Sequence, residues 1–378
     1  MMRRFMVAGG LVLLGLAGSV RAADDDGYVS LFNGKDLDGW KVEGDAKFVI
    51  EDGLLKLTGG FGWLRSEATY GDFALHVEWR AETDGYDSGV FIRTPNDGVT
   101  PWPKLKSQVN MRSDQVGGVV GSRQSKVADA VNPPGEWNTF DITCRGKRIA
   151  VEVNGKPVND LKGYFKRKDG YLGIQAEEHK FAFRNLRIKE FDYRPIFNSK
   201  DLSGWAPVDG SADNWKVENG ELSCTGAKGS HWLRTEKMLQ DFDLKLDYKH
   251  GVNGNSGVFL RATEKGNPAF TGMEIQILDD DGPEYKGKLA DVQVTGALYG
   301  KQAPSGKYTR AAGTWNHLEI SCRKNRVRVR LNGHRIVNAD LSADTDEEAN
   351  LMKRAKTGYI GLQNHSTPVW FRNIRLRE

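Results

Sequence analysis

The chain of 378 residues contains the same set of sequence motifs twice, in the same order. LFNGKDLDGW at residues 31–40 returns as IFNSKDLSGW at residues 196–205, and DSGVFIR returns as NSGVFLR. The other matched motifs are GWLR and HWLR, GEWN and GTWN, and GYLGIQ and GYIGLQ. Ordered self-similarity of this kind marks a repeated structural unit. We therefore predict two tandem domains, copy one at residues 27–191 and copy two at residues 195–378, with a short linker near residues 192–195.

Alternation of apolar and polar residues predicts mostly β-strands in both copies, as in FALHVEWR at residues 73–80 and FDLKLDYK at residues 242–249. The Asn-Gly pairs at residues 154–155 and 332–333 predict tight hairpin turns. Only residues 346–354 have a pattern that favours a helix. Each copy is therefore expected to be an antiparallel β-sandwich of the jelly-roll kind.

Residues 1–22 have the pattern of a secretory signal peptide. Two arginines precede a short apolar run at residues 5–16, and small residues follow it at Val20 and Ala22. No cysteine follows to carry a lipid anchor, and no later apolar run has the length of a membrane-spanning helix. The sequence predicts an exported protein, periplasmic or secreted, that begins near Ala23.

The net charge and the cysteine content give no support for nucleic-acid binding, a cysteine metal site or a disulfide framework. Removing residues 1–22 takes away three arginines and lowers the formal charge from +4 to +1, which gives no reason to expect nucleic-acid binding. Cys144, Cys224 and Cys322 have neither metal-binding spacing nor a disulfide framework. We predict that all three are small buried apolar residues.

The segment GMEIQILDDD at residues 272–281 is the strongest candidate for a functional strand. Its isoleucines alternate with Glu274 and Gln276, which predicts one buried face and one polar face. A bulge near Leu278 would bring Asp279 onto the polar face as well. The alternative is a turn at the sheet edge with solvated carboxylates.

Copy two is longer than copy one at two places. The offset between matched motifs grows from 165 at the first motif to 188 at the last. The growth falls at residues 282–290, directly after the acidic segment, and at residues 343–356. Inserted loops beside a polar strand commonly shape a binding site.

Together, FNGKDLxGW, SGVFxR, GMExQILDD, TGALYG, GxWN and GxIGLQxH followed by FRNIR resemble the 3-keto-disaccharide hydrolase family, also described as 3-keto-glucoside 1,2-lyases and 3-keto-2-hydroxy-glucal hydratases. The resemblance covers nearly all of the chain after residue 22, once per copy. It implies a concanavalin-A-like sandwich with a saccharide bound on its concave sheet. It also implies action on glycosides already oxidised to a ketone at C3.

The implied chemistry suits acid–base residues. A ketone at C3 acidifies the C2 proton, so a general base can remove it while the glycosidic oxygen leaves with help from a general acid. Water then adds back. The reaction needs neither a protein nucleophile nor a redox cofactor. A cation or hydrogen-bond donors must stabilise the enolate, and a divalent metal could also do so; the sequence leaves the metal open.

Under this resemblance, Glu274, Asp279 and His365 are the candidate acid–base residues and Arg261 is the candidate partner of the enolate. The candidate substrate-binding residues are Gln276, Trp232, Gln363, Arg93 and Gln108. Each has a structural alternative: Arg261 could bridge a carboxylate, Trp232 could fill a core and His365 could lie in a loop. The tryptophans matched between the copies, which are Trp40, Trp205, Trp137 and Trp315, are expected in the core.

The copies differ at the candidate positions. Alignment on SGVF sets Lys106, Gln108, Asn110 and Met111 opposite Glu274, Gln276, Leu278 and Asp279, and the last motif sets Gln175 and Glu177 opposite Gln363 and His365. Copy two is therefore predicted to be catalytic, and copy one to be a binding or structural domain. Glu177, Glu178 and His179 leave open an altered site in copy one.

Three functions fit these residues to different degrees. The first is an exported lyase or hydrolase of 3-keto-glycosides, and the second is a non-catalytic glycan-binding protein, because the fold serves both. The third is a retaining glycosidase, which needs two carboxylates beside the scissile bond. Glu274 and Asp279 have a similar spacing, but Gln276 stands where such strands carry a middle acid. This places the glycosidase third.

Overall fold

The computed structural model describes residues 27–96, 98, 101–104, 107–122, 129–210, 212–226, 230–365 and 367–378. Within them the chain forms four antiparallel sheets, one pair from each copy. Each pair packs face to face around its own hydrophobic core. The prediction of two tandem jelly-roll β-sandwiches is confirmed. The predicted signal peptide at residues 1–22 lies outside the described residues.

Copy one contains strands β1–β13. One sheet has the order β11-β10-β9-β6-β13-β4-β3, with β1 also paired to β13, and the other has the order β2-β5-β12-β7-β8. The bounds are β1 Val29–Ser30, β2 Trp40–Gly44, β3 Lys47–Glu51, β4 Leu54–Gly59, β5 Phe61–Tyr70, β6 Phe73–Ala81, β7 Gly89–Thr94, β8 Ser107–Asn110, β9 Asn138–Arg145, β10 Arg148–Val153, β11 Lys156–Leu161, β12 Gly170–Glu177 and β13 Phe181–Glu190.

Copy two contains strands β14–β26 and a short helix, α1. Its larger sheet has the order β16-β17-β26-β19-β22-β23-β24, with β14 paired to β26, and its five-stranded sheet has the order β15-β18-β25-β20-β21. The bounds are β14 Arg194–Pro195, β15 Trp205–Val208, β16 Trp215–Glu218, β17 Glu221–Cys224, β18 Ser230–Thr235, β19 Phe242–His250, β20 Asn255–Ala262, α1 Pro268–Thr271, β21 Met273–Leu278, β22 Asn316–Arg323, β23 Arg326–Leu331, β24 His334–Asp340, β25 Tyr359–His365 and β26 Val369–Arg377.

Both predicted Asn-Gly turns are present. Asn154 and Gly155 have φ values of 49° and 74°, and Asn332 and Gly333 have φ values of 49° and 81°. Two successive residues with positive φ form the hairpin turn that matches the twist of the flanking strands. The asparagine side chains are also used, because Asn332 donates from Nδ2 to Oδ1 of Asn316, the asparagine of the GTWN motif, at 2.9 Å.

The helix predicted at residues 346–354 is wrong. The segment contains only one 3-10 turn, Leu351–Lys353. Asp346 accepts hydrogen bonds from the backbone N–H groups of Glu348 and Ala349, and Asp344 accepts one from Leu351. Aspartate side chains that bond to nearby backbone groups in this way compete with helix formation. The helix of copy two is instead α1, between β20 and β21.

The core residues were predicted in part. The three cysteines are buried and unpaired, as expected. Trp40 and Trp205 are buried, and each donates from its ring N–H to a backbone carbonyl at 2.6 Å. Trp137 and Trp315, which were expected in the core, are only half-buried. They lie on the outer faces of the larger sheets, where Arg184 and Arg372 stack on them at 4.0 Å from the ring centroids.

The outer face of the larger sheet in copy two packs against copy one through ion pairs. Arg372 contacts Asp38 at 2.5 Å, and Arg375 and Lys245 contact opposite oxygens of Glu190 at 2.7 and 2.6 Å. Glu190, Lys245 and Arg375 are buried. Buried charges need partners of opposite sign, and here the partners come from different copies.

The equivalent face of copy one forms its ion pairs internally. Arg184 contacts Glu78 at 2.6 Å, and Asn185 donates to the other oxygen of Glu78 at 2.8 Å. Arg80 and Arg184 lie over Trp137. Copy two has the equivalent internal pair, Arg372 with Asp247, and adds the contact of Arg372 with Asp38 of copy one. No helix in the described part of the chain is long and apolar enough to cross a membrane.

Candidate active site

The candidate site lies on the outer face of the five-stranded sheet in copy two. Ile275 and Ile277 point inward and belong to the sandwich core. The side chains that alternate with them, Glu274 and Gln276, point outward, beside a separate cluster that contains Trp232 and Phe259. Glu274 is paired with Phe259 across β20 and β21, so both side chains share this outer face.

Glu274 is almost completely buried on this face, with 4% of its surface exposed. Its carboxyl group lies over Gly257, where an added Cβ would come within 2.0 Å of the Glu274 Oε1 atom. The glycine of the SGVF motif therefore provides the space for the carboxyl group. Burial raises the pKa of Glu274 from 4.5 to about 8, because the charged form loses its hydration.

Gln363 lies beside the Glu274 carboxyl group. Val258 pairs with Leu362, so Gly257 and Gln363 are neighbours across β20 and β25. The Oε1 atoms of Glu274 and Gln363 are both buried, and neither accepts a hydrogen bond from the part of the chain that the structure describes. Buried acceptors are normally bonded. Two such acceptors side by side can receive hydrogen bonds from a ligand with hydroxyl groups.

Strand pairing corrects the alignment of the two copies. In copy one Phe91 pairs with Gln108, whereas in copy two the equivalent Phe259 pairs with Glu274. Likewise Gly89 pairs with Asn110 and Gly257 with Gln276. Gln108 is therefore the counterpart of Glu274, and the earlier placement of Lys106 opposite Glu274 is wrong. The segment between β7 and β8 is two residues longer in copy one, so alignment on SGVF fails beyond it; Lys106 itself lies outside the described residues.

On the same outer face of copy one, the polar side chains bond to one another. Gln108 donates from Nε2 to Oε1 of Gln175 at 2.5 Å, and Gln175 donates from Nε2 to Glu177 at 2.5 Å. Trp63 and Phe91 pack edge to face at 5.4 Å, as Trp232 and Phe259 do at 5.5 Å. Copy one thus keeps the aromatic support but replaces the buried acid with an amide that bonds to its neighbour.

Asp279 does not join Glu274 on the outer face. The β20–β21 register runs from Asn255–Leu278 to Leu260–Met273 without a shift, so the bulge predicted near Leu278 is absent. Asp279 accepts a hydrogen bond at 2.9 Å from the backbone N–H of Asn253, in the β19–β20 loop. The structure therefore places Asp279 in a turn at the end of the sandwich, and the predicted three-residue polar cluster is wrong.

Arg261 and Arg93 hold loops together at the far end of their strands. Arg261 has φ of 53°, beyond a break in the β20–β25 register, so its side chain leaves the strand alternation. Its guanidinium group donates to the backbone carbonyls of Gln240 and Lys324 and pairs with Asp241 at 3.1 Å. The prediction that Arg261 faces the enolate is therefore not supported.

Arg93 makes the equivalent contacts in copy one. Its guanidinium group donates to the carbonyls of Gly71 and Gly146 and pairs with Asp72 at 2.7 Å. The arginine on the outer face of copy two is Arg234, whose strand position pairs with Gly361. Arg234 is bound to Glu264 at 2.5 Å.

The other candidates lie on the outer face. Gln276 is buried and donates to Oδ1 of Asn255 at 3.4 Å. His365 ends β25, two residues from Gln363, and its side chain is exposed. Trp232 is only 3% exposed, so its ring supports the face and is not an open platform for a sugar.

Two residues on this face were missed by the sequence reasoning. Asn255 begins β20, and its Nδ2 donates to the hydroxyl of Tyr285 at 3.4 Å. Tyr285 belongs to the segment at residues 282–290 that lengthens copy two. The signal in the sequence was the inserted loop itself, directly after the polar strand.

The sequence did not decide whether the site binds a metal ion. Among the described residues there is no group of three or more His, Cys, Asp or Glu side chains that could hold a metal ion. The described residues of the candidate site are suited to acid–base chemistry and hydrogen bonding.

Comparison with protein families matches the chain twice, at residues 27–189 and 192–377, to the 3-keto-alpha-glucoside-1,2-lyase-like domain. The chain belongs to this family. Each copy of the sandwich is thus one such domain. Family membership makes the chain a carbohydrate-active protein similar to 3-keto-disaccharide hydrolases.

Several known proteins are similar to about half of the chain. A 3-keto-disaccharide hydrolase of Bacteroides thetaiotaomicron is 25% identical over 234 residues, which cover 51% of this chain and 80% of that protein. A crystal structure from Parabacteroides distasonis, provisionally named a glycosyl hydrolase, is 28% identical, with 49% of this chain and 98% of that chain covered and a TM-score of 0.43. A Bacillus licheniformis β-glucanase is 14% identical, with 43% and 97% covered and a TM-score of 0.33.

Proposed function

We propose that the chain is an exported enzyme that cleaves 3-keto-glycosides on the outer face of copy two, with Glu274 as the general base. Membership of the 3-keto-alpha-glucoside-1,2-lyase-like family supports this substrate class. The observation that carries the assignment to copy two is the pair of buried acceptors on Glu274 and Gln363. At the same place copy one has an amide, Gln108, which donates to Gln175, and Gln175 donates to Glu177.

The first step is an elimination. The Glu274 carboxylate takes the proton from C2, the C–H electron pair forms the C1–C2 double bond, and the C1–O bond to the leaving group breaks. The departing oxygen takes a proton from a general acid and leaves as an alcohol. His365 is the candidate acid, because it lies on the same face two residues from Gln363.

The second step is a hydration. A water molecule adds its hydroxyl group to C1 while its remaining proton restores the general acid, and the proton held by Glu274 returns to C2. The sum of both steps is hydrolysis of the glycosidic bond with the ketone unchanged. If only the first step occurs, the enzyme is a lyase and releases the unsaturated ketone.

The proposed role fits the environment of Glu274. Burial raises the pKa of Glu274 to about 8, so its carboxylate is a stronger base than an exposed one. The carboxylate fraction grows as the pH rises toward that value. Because the elimination also needs a protonated general acid, we expect kcat/KM to increase with pH toward about pH 8 and to fall again once the general acid has lost its proton.

The test incubates the protein with a 3-keto-disaccharide and, separately, with its unoxidised parent. Each reaction is run in ordinary water and in heavy water, and the products are analysed by mass spectrometry. If the proton on Glu274 exchanges with solvent before hydration, the product made in heavy water carries deuterium at C2. With or without that exchange, a substrate deuterated at C2 should be eliminated more slowly, and direct hydrolysis should show neither effect. Glu274→Gln should lower turnover roughly 10²-fold or more, the usual scale for an acid–base residue. The matched control is Gln108→Ala in copy one, which should leave turnover nearly unchanged.

Each competing function gives a different result. Cleavage of the unoxidised parent would indicate a retaining glycosidase and refute the C2 elimination. Binding of saccharides without any turnover would indicate a glycan-binding protein. Loss of turnover in Gln108→Ala with activity kept in Glu274→Gln would place the chemistry in copy one.

Export is part of the proposal and rests on residues 1–22. Arginines followed by an apolar run and small residues support cleavage near Ala23. Sequencing the N-terminus of the secreted or periplasmic protein tests this, and an intact Met1 would contradict it.

A further inference from the structure

Copy two contains a cavity of about 370 Å³ near the end of β21, separate from the outer face that holds Glu274. Its lining includes Asp280, Tyr285, Asp291, Thr295, Lys307 and Tyr308. The volume falls within the range of small-molecule sites. Two tyrosines among charged and hydroxyl side chains provide both ring faces and hydrogen-bonding groups, which is the combination that a sugar ring needs.

Tyr285 connects this cavity to the candidate active site. It lines the cavity, and its hydroxyl lies 3.4 Å from Nδ2 of Asn255. Asn255 in turn accepts from Gln276 on the outer face. The Glu274 carboxyl group lies over Gly257, two residues along β20 from Asn255, which is roughly 7 Å in a strand. Asn255 and Tyr285 therefore link the part of the outer face near the acid to the lining of the cavity.

The cavity is lined in part by residues that have no counterpart in copy one. Tyr285, Gly287 and Leu289 come from the segment at residues 282–290 that copy one lacks. Asp280 does have a counterpart, Asp114, by the same register that matches Gln108 to Glu274. Asp114 is 62% exposed and pairs with its neighbour Arg112 at 2.6 Å, so its carboxyl group is not held as that of Asp280 is.

Asp280 is held in place through one of its two carboxylate oxygens. Its Oδ1 accepts from the backbone N–H of Thr295 at 2.9 Å and from the Thr295 hydroxyl at 3.1 Å. Burial raises the pKa of Asp280, with the Thr295 hydrogen bonds opposing it. The second carboxylate oxygen can accept from a hydroxyl group of a bound sugar.

We infer that this cavity is the subsite for the second sugar, the one that leaves when the bond to the 3-keto sugar breaks. This rests on the proposed function. It makes the preferred substrate a 3-keto-disaccharide, with Tyr285 and Asp280 binding the leaving sugar. A glycoside with a small alkyl leaving group would fill the site at Glu274 and leave the cavity unused.

The test measures KM and kcat for a 3-keto-disaccharide and for a methyl 3-keto-glucoside. Tyr285→Phe and Asp280→Asn keep the shape of each side chain, and the amide oxygen introduced by Asp280→Asn can still accept from Thr295. Each should raise KM for the disaccharide roughly 10-fold, the effect of one hydrogen bond, and leave both constants for the methyl glycoside unchanged. Asp114→Asn in copy one is the matched control and should change neither substrate.

The outcomes separate this inference from the proposed function. Equal changes for both substrates, or no change for either, would refute the leaving-sugar subsite while the elimination at Glu274 stands. Absence of turnover of both substrates by the unmodified protein would refute the proposed function and the subsite with it. Thermal melting of each variant shows whether a loss of activity reflects loss of folding.

Discussion

Glu274→Gln is expected to stabilise the protein at neutral pH while it removes activity. The pKa of Glu274 is raised from 4.5 to about 8 in the folded protein. Between these values the folded state binds more protons than the unfolded state, so the free energy of unfolding falls as the pH rises. At about pH 7 the wild-type chain has lost about 3 kcal/mol in this way, because each pKa unit corresponds to ~1.4 kcal/mol.

The amide removes this pH dependence and fits the site. In copy one Gln108 occupies the same position and donates to Gln175 at 2.5 Å. A glutamine at position 274 can donate to the buried Oε1 of Gln363 in the same way. We therefore expect a small, constant gain from this hydrogen bond and a larger gain that grows with pH.

Urea unfolding of both proteins at about pH 5, 7 and 8.5 measures the effect. The difference in unfolding free energy should be small near pH 5 and increase by roughly 2–3 kcal/mol at pH 7. Gln108→Glu in copy one is the opposite control, which should lose stability with rising pH. Parallel pH profiles for wild type and Glu274→Gln would refute the burial of an unpaired carboxyl group.

Two further changes test the fold around the site and between the copies. Burial alone would lower the pKa of His317, but its hydrogen bond to Asp247 and the nearby carboxylate of Glu319 raise the pKa to about 9. The contribution of His317 to stability is therefore complete below about pH 6.5 and is lost as the pH rises toward 9. His317→Gln should flatten that decline in the melting temperature, and an unchanged slope would contradict it. Gly257→Ala would set a Cβ 2.0 Å from Glu274 Oε1 and should lower turnover at least 10-fold. The control is Gly89→Ala, which displaces Gln108 in copy one and should not lower turnover. Equal effects of the two substitutions in kinetic assays would show that the space over Gly257 does not matter.

The sequence predicted the parts of the fold that depend on local patterns. The duplication, the strand alternation and the Asn-Gly turns at residues 154–155 and 332–333 are all present. These features follow from side-chain alternation and from the backbone angles that Asn and Gly readily adopt. The polar face of Glu274 and Gln276 was predicted for the same reason.

The errors arose where distant residues decide the structure. The true counterpart of Glu274 could not be read from the sequence, because a two-residue difference in the β7–β8 segment shifts the register of a strand. Arg261 leaves the strand alternation because its φ is positive, and nothing about an arginine in the sequence predicts a positive φ. Asp279 accepts a hydrogen bond from the backbone N–H of Asn253, which lies 26 positions earlier in the chain.

The contact between the copies is of a kind that can repeat. Copy two offers a sheet face with Arg372 and Arg375, and copy one offers a different surface with Asp38 and Glu190. Such head-to-tail contacts extend into filaments when the accepting surface stays open at one end. On the corresponding face of copy one, Arg184 pairs with Glu78 as Arg372 pairs with Asp247, so this face keeps an arginine that can bind a second carboxylate from another molecule.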